Sequence, residues 1–542
     1  MAEEADVIVV GAGLAGLVAT AEAADAGKRV IVVDQEPEAS FGGQAWWSLG
    51  GLFMVDTPEQ RRLRIRDSRD VALRDWLAYA GFDRDDDAWP RRWAEAYVDF
   101  AAGEMRPWLA AQGMRWFPIV GWAERRGCTV PRFHNTWGTG LGVIAPFVRR
   151  VRAHVATGRV ALRFRHRVSE ITSAAGRTSG VAGEVLAPSA VARGVPSSRD
   201  VVSTFALRAQ AVIVATGGIG GDHELVRRYW PPRLGKPPAR MLAGVADHVD
   251  GRMLDVARSA GARVINTDRM WHYPEGIQND APVWTRHGIR ILAAPSSLWL
   301  DAQGHRLPPP LFPGFDALGA LEQIARSGRD HSWFVLDSKV LGREFALSGS
   351  EQNPDLTSGS LRQVIFERLL PRAVRPVERF RSRGLDFITA ASVDELARGM
   401  NALAGSSEID ATSLGRVLRE HDEQAVAPAP TDPQIEAVRA ARAYIGDRLI
   451  RVAKPHPFLD PRSGPLVAVR LWILTRKTLG GLETDLSARV LGTSGAPIPG
   501  LFAAGEVSGF GGGGMHGYRS LEGTFLGGCI FSGRIAGRVA AS

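Results

Sequence analysis

The sequence predicts an α/β protein built on a Rossmann-like domain. Three observations carry this. Over residues 5–34 an apolar strand, a glycine turn, an Ala-rich helix and a second apolar strand ending in an acid follow one another. Another apolar strand runs into glycines at "AQAVIVATGGIGG", residues 209–221. The third is the glycine density of "AAGEVSGFGGGGMHGYRSLEGTFLGG", residues 503–528. Each glycine there costs conformational entropy on folding, so the run needs backbone to lie close against something.

Taken in order, the first stretch reads "ADVIVVGAGLAGLVATAEAADAGKRVIVVD". Gly11 makes the tight turn, Gly13 lets backbone approach a pyrophosphate, and Gly16 permits close packing of the helix. The N–H groups at the helix start, around Leu14 and Ala15, suit phosphate oxygens. Asp34, followed by Gln35, is placed to accept from a ribose hydroxyl. The motif by itself does not choose between FAD and NAD.

The next stretch, "SFGGQAWWSLGGLF" at 40–53, carries two diglycines, Gly42–Gly43 and Gly50–Gly51. With it the chain resembles the flavoprotein superfamily of fumarate reductase, succinate dehydrogenase and the 3-ketosteroid dehydrogenases. The resemblance covers nearly the whole chain and is strongest over 5–53, 209–221 and 464–534. It implies a Rossmann-like FAD-binding domain of the glutathione-reductase type, assembled from both ends of the chain, with an α+β capping (substrate) domain inserted. The domains expected are 1–270 and 456–542 for the FAD-binding domain and 271–455 for the cap. Covalent members hold flavin through a His in the diglycine segment; here Trp46, Trp47 and Ser48 stand instead, so the FAD is expected to be non-covalent. Gln44, Ser48, Val168, Ala215, Thr216 and Gly217 are further cofactor contacts that the resemblance implies. The Ser/Gly/Pro-rich stretch 172–200 reads as a connection within a strand meander.

The C-terminal glycines then become the second wall of the same cofactor. By resemblance Gly505 and Glu506 contact the adenosine or ribityl side of FAD, and His516–Gly517 lie beside the flavin. A helix beginning near Leu521, with Gly523, Thr524 and Phe525, directs its N-terminus at the pyrimidine end of the ring, where a partial positive charge stabilises an anionic reduced flavin.

In the cap, "RLPPPLFPGFD" (306–316) is a loop and "SVDELARGMNAL" (392–403) an amphipathic helix. The residues that clamp dicarboxylates in fumarate reductases are replaced. Tyr273 stands for His in "WHYPEG", the position of the family's catalytic Arg falls near "ILAAPSSLWLD", which contains no Arg, and Lys477 stands for His in "KTLGG". Ser520 stands for Arg, with Arg519 one residue out of register. Tyr518-x-Ser520 is similar instead to ketosteroid dehydrogenases acting at the delta-4 position. Breaking a C–H bond next to a ketone needs a base at that carbon and a donor at the developing enolate oxygen. The resemblance therefore gives Tyr518 as acid/base, Ser520 as its orienting neighbour and Tyr273 as the cap-side hydroxyl, with Lys477, Arg519 or the helix dipole steadying a phenolate. His272 is a second acid/base candidate, and Lys477 and Arg476 have Glu483 or Asp485 as alternative partners. Tryptophans at 46, 47, 116, 122, 137, 271, 284 and 299 favour an apolar substrate.

The leading reading is an FAD-dependent dehydrogenase of a carbon–carbon bond conjugated to a carbonyl, in a hydrophobic ketone such as a ketosteroid. Alternatives are an ene-reductase of an unsaturated acid working through Arg519 and Lys477, and a non-catalytic flavin-binding electron-transfer component. No residue pattern names the electron acceptor, the direction or the oligomeric state.

Composition agrees with a globular chain of two or three domains: 542 residues, 45% hydrophobic and 23% charged. Lys plus Arg exceed Asp plus Glu by 66 to 58. The excess is spread through mixed runs such as "RRLRIRDSRD" (61–70), which reads as a solvated helix face and not as a nucleic-acid stripe. Two cysteines, Cys128 and Cys529, make neither a disulfide framework nor a metal-spaced cluster. The start "MAEEAD" has no leader pattern and no apolar run reaches spanning length, so a cytoplasmic protein without metal is expected.

Overall fold

Four consecutive apolar residues form β1 (Val7–Val10), and Val30–Asp34 form β2; the two are parallel, with Val7 opposite Val30. Such unbroken β-branched runs, buried on both faces, belong to parallel sheets covered on each side. Between them α1 (Leu14–Asp25) is buried along most of its length and begins at Gly13 without a side-chain cap. The computed structural model describes residues 3–292, 294–368 and 373–542. The run 61–70 is not one helix face. A short helix Pro58–Arg62 ends there, and α2 (Arg69–Ala80) starts afresh behind Ser68, whose Oγ accepts from Val71 N at 3.3 Å. That cap is the signal that divides the run.

β3 (Val160–Phe164) adds in parallel beside β2. An antiparallel meander follows, of β4 (His166–Ala174), β5 (Arg177–Leu186) and β6 (Val201–Arg208), so that the stretch 172–200 lies inside it. β7 (Ala211–Val214) then returns to lie parallel beside β1.

The middle of the chain builds a second sheet from β8 (Met270–Gln278), β9 (Gly288–Arg290), β10 (Leu298–Leu300) and β11 (His331–Asp337). Helix α3 (Ser338–Glu344), strand β12 (Phe387–Ala390), and helices α4 (Val393–Ala404), α5 (Ala411–Val426), α6 (Pro433–Ala441) and α7 (Ile445–Ile450) follow. In α4 the spacing works as read: Ser392 caps it and Leu396, Ala397 and Met400 are buried. The long strand β13 (Leu466–Thr478) pairs antiparallel with β8, β11 and β12, giving the order β9-β8-β13-β11-β10. Residues 466–478, assigned by the sequence reading to the last part of the FAD-binding domain, are thus the central strand of the middle sheet.

The end of the chain goes back to the first sheet. β14 (Arg489–Leu491) and β15 (Pro497–Ala503) complete the order β14-β15-β7-β1-β2-β3, with β15 parallel to β7. The last helix, α8 (Thr524–Ala540), begins after Gly523 and not at Leu521. It lies directly on α1: a Cβ at Gly533 or Gly537 would stand 2.5 or 2.4 Å from the carbonyl oxygens of Ala15 and Ala19. Both chain ends therefore share one core.

Candidate active site

One large cavity is lined by the turn after β1 (Gly11, Gly13, Leu14, Ala15), the end of β2 (Asp34, Gln35) and the diglycine segment (Gly43, Gln44, Ser48, Gly50, Gly51). Val168, Ala215, Thr216 and Gly217 add to it, as do Gly505, Glu506, Gly523 and Phe525 from the C-terminal run. The structure thus brings the two glycine-lined strips together.

Five of the expected contacts stand back from this wall. Gly16 packs under the Gly11 carbonyl, and Gly42 faces Ile144. Gly517 is pressed against Ala80 and Gly81. His516 stacks on Trp76, and its Nε2 lies 2.8 Å from the Thr524 hydroxyl, which in turn donates to Leu521 O. Burial lowers His516 to about 3, so its ring is neutral.

The chain's own features fit a dinucleotide. A Cβ at Gly13 would meet no atom within 4 Å, at the uncapped start of α1, whose N–H groups suit a diphosphate. Gln44 Oε1 is buried without a hydrogen-bond partner among the described residues. Asp34 accepts from Ala12 N and Glu36 N, each at 2.8 Å, which fixes its carboxyl at the cavity edge with lone pairs to spare. The start of α8, likewise uncapped at Gly523, meets the same cavity from the other side.

Further along the cavity, polar groups converge from the middle sheet and from two segments outside it. Tyr273 and Glu275 come from β8, Arg290 from β9, Lys477 from β13, Glu522 from the segment before α8, and Glu124 from the loop after strand Trp116–Gly121. The Tyr273 hydroxyl donates to Glu522 Oε1 at 2.6 Å, and Arg290 Nη1 donates to the same oxygen at 2.6 Å. Lys477 Nζ donates to the Tyr273 oxygen and stands 3.7 Å from Glu522 Oε2. The Arg290 guanidinium lies 3.6 Å over the Tyr273 ring, and Lys477 Nζ 3.6 Å over the Phe525 ring.

These charges set one another. Burial raises Glu522, but Lys477, Arg290 and the Tyr273 hydrogen bond outweigh it and hold the carboxyl down at about 2. Burial pushes Lys477 down to about 7 against the pull of Glu522. Burial, then the Glu522 charge, pushes the Tyr273 hydroxyl well above its ordinary range. Burial raises Glu124 and Glu275 as well. The cluster therefore combines an ionised carboxylate, a neutral phenol and an amine balanced near neutral pH.

Of the expected catalytic residues, Tyr273 and Lys477 meet here, whereas Tyr518 and Ser520 do not. Arg84 Nη2 donates to the Tyr518 hydroxyl at 2.9 Å, and the Arg233 guanidinium lies 3.9 Å over its ring. Ser520 Oγ is buried without a partner among the described residues. The cause is backbone: Tyr518 N donates to Gly81 O at 3.4 Å and Arg519 N to Ala80 O at 2.9 Å, tying this segment to the end of α2 and turning Tyr518 away. His272 is neutral, lowered to about 3 by burial, with Nδ1 accepting from Arg476 N at 3.2 Å. Arg519 pairs with Asp316 at 2.8 Å. Glu483 and Asp485, the alternative partners for Lys477 and Arg476, pair with Arg263 and Arg489. Of the tryptophans, Trp122 lines the cavity, beside Phe117, Ile119, Leu292 and Ile450. Trp47, Trp271, Trp284 and Trp299 are buried in packing.

Glu522, Arg290, Glu275 and Glu124 escaped the sequence reading. The one local signal was an acid immediately before the glycine that starts α8. Among the described residues no cluster of three or more His, Cys, Asp or Glu has metal-site geometry, and no helix is long and apolar enough to cross a membrane.

A model of the FAD binding domain family matches residues 6–526. The chain is 58% identical to a KsdD-like steroid dehydrogenase of Mycobacterium tuberculosis, over 99% of this chain and 96% of that one. It is 59% identical to a KsdD-like steroid dehydrogenase of Mycolicibacterium smegmatis, with 99% of each covered. In fold it is similar to 3-ketosteroid delta1-dehydrogenase from Sterolibacterium denitrificans, solved with 1,4-androstadiene-3,17-dione, with a TM-score of 0.68 at 19% identity and 99% of each chain covered. It is also similar to a flavocytochrome c3 fumarate reductase, with a TM-score of 0.65 at 20% identity, covering 99% of this chain and 78% of that one.

Proposed function

Because the chain belongs to the FAD-binding domain family, we propose that this FAD-dependent oxidoreductase dehydrogenates the carbon–carbon bond next to the ketone of a steroid. The observation that carries the reading is the Tyr273 hydroxyl, held between Lys477 and Glu522 on the wall of the cavity that both glycine strips line. The 58% and 59% identities to proteins named steroid dehydrogenases support the substrate class.

Bound FAD supplies the hydride acceptor. The chain supplies the proton chemistry. Burial and Glu522 keep the Tyr273 phenol from ionising by itself, so Lys477, poised at about 7, takes the Tyr273 proton in its amine form only as the phenol oxygen gains another, under the Arg290 guanidinium. The proton gained is the one on the carbon beside the ketone, so the phenol is restored and the proton ends on Lys477. Glu522 fixes the Tyr273 oxygen and balances the two cations. Apolar walls at Phe117, Ile119, Leu292 and Ile450 exclude water from the reacting carbons.

The test is turnover by the FAD-loaded protein, with an artificial electron acceptor, of a panel of 3-ketosteroids against a panel of unsaturated acids. Steroid-dependent dye reduction, with a product lacking two hydrogens, is the expected result. Reduction of an unsaturated acid by a reduced donor, with no steroid turnover, would overturn the reading. The ene-reductase alternative relied on Arg519 and Lys477, and of these Arg519 is committed to Asp316.

A further inference from the structure

Helix α7 separates two concave spaces. Gly446, Asp447, Ile450 and Arg451 face the active-site cavity. On its other side Arg442, Arg448, Lys454 and His456 join Lys339 and Arg343 of α3 around a second concavity of about 480 Å³.

The second concavity gathers cations without carboxylate partners among the described residues. Arg132, by contrast, lies between Asp67 and Asp75, and Arg269 between Asp83 and Asp87. Among the described residues, none of Lys339, Arg343, Arg442, Arg448 and Lys454 forms an ion pair. Arg343 donates instead to the carbonyls of Arg448, at 3.0 Å, and Leu449; Arg442 donates to Val452 O at 2.5 Å. A carbonyl holds a guanidinium in place without cancelling its charge. Among the described residues Lys339 reaches only Ser463 Oγ, at 3.5 Å. The neighbouring carboxylates are committed: Asp337 to His456 at 2.6 Å, Asp460 to Arg462 at 2.8 Å, and Glu344 to Ser296 Oγ at 2.6 Å and Ala453 N at 2.7 Å. Burial, then the charge of Arg442, lowers Arg343 below the ordinary arginine value, as expected of like charges crowded together.

We propose that this concavity is a binding site for a small molecule bearing a di- or polyphosphate group. Two guanidinia oriented by backbone, with three further cations at the rim, match several phosphate oxygens at once, and the anion removes the mutual repulsion. The proposal stands apart from the catalytic reading, since none of these six side chains lines the active-site cavity.

The test is titration of the FAD-saturated holoenzyme with inorganic pyrophosphate at low ionic strength, read by calorimetry and melting temperature. One saturable site is expected, weakened by added salt, with the flavin absorbance unchanged. Affinity should fall about tenfold or more in Arg442→Gln. The rim variant Arg448→Gln with Lys454→Gln, whose side chains hold no backbone, should weaken binding in the same direction while the melting temperature without ligand stays put. Absence of saturable binding, or equal affinity in the rim variant, would overturn the proposal. So would co-sedimentation with phosphatidylglycerol vesicles in the absence of saturable pyrophosphate binding, which would assign the cations to a lipid surface.

Discussion

The Tyr273 hydroxyl meets Glu522 Oε1 at 2.6 Å, although Tyr273 stands on β8 of the middle sheet and Glu522 immediately before α8, which packs on the first sheet. The bond therefore joins the two halves at the point where the chemistry is placed. Tyr273→Phe keeps the ring beneath Arg290 and removes only the oxygen. We expect kcat for steroid dehydrogenation to fall by about 10²–10⁴, the usual worth of a positioned acid/base, with FAD content unchanged. Steady-state rates beside the flavin absorbance of the purified variant check this.

Lys477 gives the reaction a pH limb. Below about 7 it is an ammonium and cannot take the Tyr273 proton; above about 7 it is an amine and can. Dehydrogenation should therefore rise with pH through about 7, and the limb should vanish in Lys477→Met. The same group affects stability. Between about 7 and the ordinary lysine value of 10.5 the unfolded chain holds a proton that the folded chain has released. Its contribution thus makes stability rise with pH across that window. Denaturant titrations of the two proteins at several pH values should show the slope reduced in the variant.

Tyr518 supplies the contrast. Its hydroxyl takes a hydrogen bond from Arg84 at 2.9 Å, and its ring is covered by Arg233. Tyr518→Phe should cost about 1 kcal/mol of stability, that of one hydrogen bond, and change kcat by only a few-fold. A loss comparable to that of Tyr273→Phe would return Tyr518 to the chemistry.

What was legible in the sequence is what lies close together along the chain. A diphosphate cradle needs its glycines, helix start and terminal acid within one βαβ unit, so Gly11, Gly13 and Asp34 declare themselves by spacing. The Tyr273 cluster has no such signature, because Glu124, Tyr273, Arg290, Lys477 and Glu522 come from five separate segments. Tyr518 and Ser520 carried the right residue types. Two backbone hydrogen bonds to Gly81 and Ala80 decide which way that segment faces, and backbone bonds to a distant helix end leave no trace in composition. The place of β13 was hidden for a related reason. An apolar strand serves either sheet equally well, and its partners β8, β11 and β12 alone decide.

The two glycines of the first turn should fail in different ways. At Gly16 a Cβ would stand 1.9 Å from the Gly11 carbonyl oxygen, against backbone that has nowhere to move. Gly16→Ala should therefore lose at least about 1–3 kcal/mol as overpacking, and the cofactor-free protein should melt earlier or be recovered insoluble. At Gly13 the backbone has φ −74°, open to any residue, and a Cβ would meet no protein atom within 4 Å. Gly13→Ala should then leave the melting temperature of the cofactor-free protein within a degree or two and weaken FAD binding by about tenfold or more, because the added methyl occupies space that the diphosphate needs. Melting curves without cofactor, paired with flavin fluorescence titrations, separate the two cases. If Gly13→Ala binds FAD as tightly as the parent, the diphosphate does not lie against this turn.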